Sequence, residues 1–150
     1  MKRRFVLAGL AAHVAITGGC VSAEFGGDEE PPRPTEITGY DYETGVDTSV
    51  EMPDGPVITA DRERAAVSVK GVAPYGSARC GYLDGHAPSY DADESKLSIS
   101  VTAEQDRSGE RPCEDDMGGD SYRFVVWFDR GVPAVVDARE PFETQATEEF

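Results

Sequence analysis

The chain has 150 residues, about one domain's worth, with 29 acidic side chains against 14 basic ones and a formal charge of −15. A surface this acidic repels phosphate and argues against a nucleic-acid partner. Two His and three Cys leave little material for acid–base or metal chemistry, while a 39% hydrophobic share suffices for one core.

In chain order, Met1-Lys2-Arg3-Arg4 is basic, and residues 5–16 are apolar apart from Gly9 and His13. About a dozen residues at ~1.5 Å each give ~18 Å of helix, short of the ~30 Å hydrocarbon core of a bilayer. A basic start, an apolar run and small residues form the pattern of an export signal over residues 1–19. Arg3-Arg4 before Phe5-Val6-Leu7 resembles a twin-arginine signal, although Lys2 stands where Ser or Thr is usual. General secretory export is the alternative. Thr17-Gly18-Gly19-Cys20 resembles a lipobox, which predicts a lipidated Cys20 and attachment to the membrane through it. The alternative is a free Cys in a plain signal peptide. Residues 20–36 hold three Pro and five acids without apolar periodicity, the composition of a disordered linker.

From residue 37 onward the patterning is that of short strands. Residues 37–43 and 57–60 are strand candidates separated by the turn Pro53-Asp54-Gly55-Pro56. Ala65, Val67 and Val69 alternate with Ala66, Ser68 and Lys70. A strand ending near Tyr90 turns through residues 91–95 into residues 96–103, where Leu97, Ile99, Val101 and Ala103 share one face. Tyr122, Phe124, Val126 and Phe128 share another, with Arg123, Val125 and Trp127 opposite, so this strand is expected to be partly covered on both sides. Asp129-Arg130-Gly131 reads as a hairpin turn into a strand over residues 132–138. The β domain is expected over residues 37–140, followed by an acidic, frayed tail over 141–150. Together these predict an all-β domain, a small antiparallel β-sandwich of immunoglobulin-like architecture or a barrel. Leu97, Ile99, Val101, Phe124, Val126 and Phe128 are the expected core. The Cys-Trp-Cys order of true immunoglobulin domains is missing.

Residues 1–19 carry only Lys2, Arg3 and Arg4 as charges, so the exported portion holds −18. Of the 14 basic residues, 11 are Arg and three are Lys, and the acids are spread along the chain. Such a surface opposes compaction in dilute buffer, but in molar salt the screening length falls to ~3 Å. The composition is that of a halophilic protein, with a mesophile's acidic surface protein as the alternative. With Cys20 taken by lipid, Cys80 and Cys113 remain as an even pair in an exported domain, and a disulfide between them is expected. A two-thiol metal site lacks further ligands at metal spacing, so no metal and no cofactor are expected.

The order of Cys80, Ser89-Tyr90-Asp91 before the Leu97 strand, Cys113, and Gly131-Val132-Pro133 after Phe128 resembles a group of uncharacterised exported lipoproteins of halophilic archaea. In that group a lipobox and an acidic linker precede a small β domain. The likeness covers about residues 67–137. It implies compartment and fold and brings no activity.

Chemistry-bearing motifs are sparse. His86, with Asp84 nearby, could act as a base, but Gly85-His86-Ala87-Pro88 reads as a turn. The acids Glu114, Asp115, Asp116 and Asp120 could hold Ca²⁺, although their spacing is not that of an EF-hand and a solvated loop is the simpler reading. Tyr40, Tyr42, Tyr75, Tyr82 and Tyr90 could form an aromatic binding surface or lie on half-buried strands. The expectation is a non-enzymatic, membrane-tethered module on the extracellular face of the cell membrane, with an envelope protein as possible partner. A solute- or ion-binding accessory lipoprotein of a transporter is the alternative, and it requires a deep pocket lined by the tyrosines.

Overall fold

Period-two alternation buries one face of each strand, and two such faces closed on each other make the core. The computed structural model describes residues 29–52 and 54–150. In these, residues 31–150 form one unit. The strands are β1 (Ile37–Thr44), β2 (Val57–Asp61), β3 (Ala66–Tyr75), β4 (Gly81–Gly85), β5 (Ser89–Asp91), β6 (Lys96–Gln105), β7 (Gly118–Phe128), β8 (Val135–Arg139) and β9 (Gln145–Glu149). One sheet has the order β1-β7-β3-β2 and is antiparallel throughout. The other has the order β4-β6-β8-β9, with β5 also paired to β6.

Strands β4 and β5 run along the same edge of β6, opposite residues 101–105 and 96–98. Pro88 stands in the break between them; without an N–H it cannot donate to the ladder. The pairing of β6 with β8 is parallel, so the second sheet is mixed. Neither sheet closes on itself, which makes the architecture a sandwich and not a barrel. The core draws on both sheets: Val67, Val69, Phe124 and Val126 from the first and Leu97, Ile99, Val101 and Val136 from the second are buried in one cluster. All six residues expected in the core lie in it.

Three expectations are corrected. Asp129-Arg130-Gly131 does not close a hairpin, because β7 and β8 belong to different sheets. The chain instead crosses the sandwich through Val132 and Pro133, both buried, and the strand expected from residue 132 begins at Val135. Gly131, at φ +55°, sits where any side chain would overlap the carbonyl of Pro32. The tail is not frayed: Gln145–Glu149 forms β9 against β8, and the amide of Phe150 bonds to the carbonyl of Ala134. Its charged composition disguised a strand whose ladder partner lies ten residues upstream. Finally, the end of the linker is held. The Asp129 carboxylate accepts from Thr35 N at 2.8 Å, Thr35 Oγ1 at 2.6 Å and Glu36 N at 3.2 Å. Tyr90 Oη donates to the Pro34 carbonyl at 3.0 Å. The hydrogen bonds to Asp129, Thr35's first, hold its carboxyl down at about 2.

Candidate functional site

Cys20 and the residues of the export signal lie outside the described residues. Cys80 and Cys113 are bonded, with Cα atoms 5.5 Å apart. The bridge ties the start of β4 to the loop before β7, and Arg79 beside it pairs with Glu114 at 2.6 Å. The acidic stretch from Glu114 to Asp120 is divided: Glu114 faces Arg79, the Asp116 carbonyl accepts from Ala78 N, and Asp120 is already in β7. Among the described residues no three His, Cys, Asp or Glu side chains are placed to hold a metal ion.

His86 lies beside Thr102, with Nε2 to Oγ1 at 3.0 Å. Thr102 donates its single proton to Glu104 Oε1 at 3.1 Å. The hydroxyl then accepts from the imidazole, so Nε2 is engaged with Thr102. The five tyrosines do not form one surface. Tyr42 packs on Phe124 at a ring distance of 4.7 Å and Tyr90 on Phe128 at 5.3 Å, both against the core. Tyr40 shares Tyr42's side of β1, whereas Tyr82, next to buried Leu83 on β4, points away from the core.

A buried polar tie joins the sheets. Glu140, just past β8 and 7% exposed, accepts from Tyr122 Oη at 2.7 Å. Gly71, opposite Tyr122 in the register, leaves the space; a methyl group there would overlap both side chains. Burial pushes the Glu140 carboxyl above its ordinary range, opposed by the Tyr122 hydrogen bond, and burial likewise raises the Tyr122 phenol. Tyr42 Oη is buried without a hydrogen-bond partner among the described residues. Burial first, then the charges of Asp84 and Asp120, push it up to about 12. These groups are internal and offer a ligand no entrance.

The outer face of the first sheet is different. Alternation turns Trp127, Val125 and Arg123 of β7 away from the core, because Phe124, Val126 and Phe128 face inward. The register sets Gly39 and Ala66 on either side of Trp127, Asp41 and Ser68 beside Val125, and Glu43 and Lys70 beside Arg123. A bulge at Thr38 sets the β1 register here. Its neighbours across the sheet are small: the indole edge lies over Gly39, where a methyl group would meet Cε3 at 3.8 Å, and the side chain is 39% exposed. Thr59 and Asp61 of β2 complete a shallow trough of about 330 Å³. At one end Arg123 pairs with Glu43, and at the other Arg64 pairs with Asp61. Lys70 has no carboxylate in ion-pair range among the described residues. The arrangement offers an aromatic ring beside Ala60, Ala66 and Val125, with hydroxyls, carboxylates and cations further along the same face. The alternation of β7 places Trp127 opposite the core residues, and the partial cover expected on that side is present at Arg123 and Val125, while Trp127 is the most exposed of the three because its cross-strand neighbours are Gly39 and Ala66. No protein-family model matches this chain, and neither a curated protein nor a solved structure is significantly similar to it.

Proposed function

We propose that this chain is an exported lipoprotein, tethered through Cys20 to the extracellular face of the cell membrane, whose β domain is a non-enzymatic binding module working in high salt. The observation that carries the reading is the Cys80–Cys113 bond. A disulfide persists in an oxidising exterior, and with two of the three cysteines bridged, Cys20 is left at the end of its lipobox-like run. The linker then lets the domain stand off the membrane. The transporter-accessory alternative calls for a cleft lined by tyrosines, and the dispersal of Tyr40, Tyr42, Tyr82 and Tyr90 favours the module. Replacing Cys20→Ser tests the tether. The variant is expected in the soluble fraction or as unprocessed precursor, and unchanged membrane retention overturns the lipid anchor.

A further inference from the structure

We infer that the Trp127 trough is a saccharide-binding face and that its ligand is an acidic glycan, one bearing uronate or sulfate groups. The inference rests on the module reading above and names its ligand class. Three observations carry it. The first is the exposed indole: resting over Gly39 with Ala66 on its other flank, it has no bulky side chain above it from either neighbouring strand, and its exposed part is a stacking platform for the apolar C–H face of a pyranose. The second is the polar row that continues from the ring along the strand: Ser68 and Asp41 flank Val125, and the Arg123–Glu43 pair lies two residues further, donors and acceptors of the kind sugar hydroxyls require. A protein partner fits this face less well, since a stable interface wants an apolar core and about 800 Å² per side. The apolar part of this trough is one indole with the small side chains Ala60, Ala66 and Val125, set among six polar or charged residues.

The third observation is charge. In a chain of net −15, Lys70 lies beside Arg123 at one end of the trough. Glu43 offsets Arg123, whereas Lys70 has no acid paired to it among the described residues. Among the described residues Lys70 and Asp41 are both without an ion pair on this face; Lys70, at the Arg123 end, complements an anionic group on the ligand, and Asp41, beside Val125, accepts from a sugar hydroxyl. Stacking then matters for a second reason: in molar salt, where screening acts over ~3 Å, charge attraction alone is weak unless contact is direct.

Trp127 is the only tryptophan, so its fluorescence reports the site directly. The full chain would be titrated in molar KCl with an oligogalacturonate, a chondroitin sulfate oligosaccharide and neutral maltotetraose. Saturable change in emission with an acidic oligosaccharide, and weaker binding of maltotetraose, is the expected result. Lys70→Gln should weaken the acidic ligand about tenfold, the worth of one charge-assisted hydrogen bond, and leave maltotetraose unchanged. Calorimetry on Trp127→Ala, checked for native circular dichroism, should show binding of all three lost. The inference is overturned if no oligosaccharide alters the emission while acrylamide still quenches it. It is also overturned if Lys70→Gln binds as the parent does, or if the emission shifts only with protein concentration, which would make the face a self-association surface. Membrane retention of Cys20→Ser is read separately, so a failed tether and a failed ligand are told apart.

Discussion

Replacing Tyr122→Phe removes one oxygen from the centre of the sandwich and isolates the tie between the two sheets. The phenol is the donor that Glu140 finds at 2.7 Å, and both side chains are buried. A hydrogen bond to a buried charged group contributes about 1.5–3 kcal/mol, and the aromatic ring itself is kept. Taking ~2 kcal/mol, a domain of this size should lose roughly 6–10 °C of melting temperature. The sign of the pH dependence follows from the raised Glu140 carboxyl. Its native form binds a proton more readily than the unfolded chain does just above the ordinary Glu range. Its contribution to stability is therefore complete below that range and is lost as pH rises through the raised native value. The Tyr122 bond favours the ionised form, so Tyr122→Phe raises the carboxyl further and enlarges the loss at neutral pH. Thermal melts followed by circular dichroism in molar KCl should separate parent and variant at neutral pH and bring them together on acidification. Comparing the two chains cancels the repulsion of the remaining acids, which also eases in acid. Glu140→Gln keeps an acceptor for Tyr122 and should flatten the pH dependence in the same window. If Tyr122→Phe melts with the parent at neutral pH, or if the gap does not narrow in acid, the argument fails.

Tyr42→Phe should act in the opposite direction. Its hydroxyl is buried without a partner among the described residues, and removing it relieves a desolvation cost, so urea titration should find stability unchanged or raised by about 1 kcal/mol; a clear loss would mean that the hydroxyl has a partner in solution. Opening the Cys80–Cys113 bridge by Cys80→Ser with Cys113→Ser should cost up to ~3.8 kcal/mol from the freed chain entropy, read as a lower urea midpoint. A midpoint within error of the parent would show that the loop before β7 is ordered without it. Finally, the dispersed charge of −15 should make folding salt-dependent, with circular dichroism gaining strand signal from dilute buffer to molar KCl. An unchanged spectrum would remove the halophilic reading.

Strict alternation makes a strand legible from its residues alone. Leu97, Ile99 and Val101 in β6 and Phe124, Val126 and Phe128 in β7 announce their buried face because a side chain changes sides at each residue. Strand β9 is not legible in this way, since Gln145–Glu149 is polar at all but one position. Its place is set by backbone bonding to β8 at a sheet edge, where side chains can remain in water. Glu140 reads as the last residue of the domain, at the start of an acidic tail; only its proximity to Tyr122 and Gly71 makes it an internal group. The candidate site is half legible: alternation gives Trp127 its side of the sheet, while its neighbours depend on the register.

Whereas the pairing of Cys80 with Cys113 was an expectation that rested on setting Cys20 aside, the sequence by itself determined the all-β class, the core faces and the acidity of the surface. Each of these follows from local periodicity or from arithmetic on composition. Tertiary structure alone decided that β7 and β8 part into separate sheets, that the chain's last strand closes the second sheet, and that Gly39 and Ala66 flank Trp127. Cross-strand neighbours are set by which strands pair and in what register, and residues 39, 66 and 127 meet only through contacts far apart in the chain.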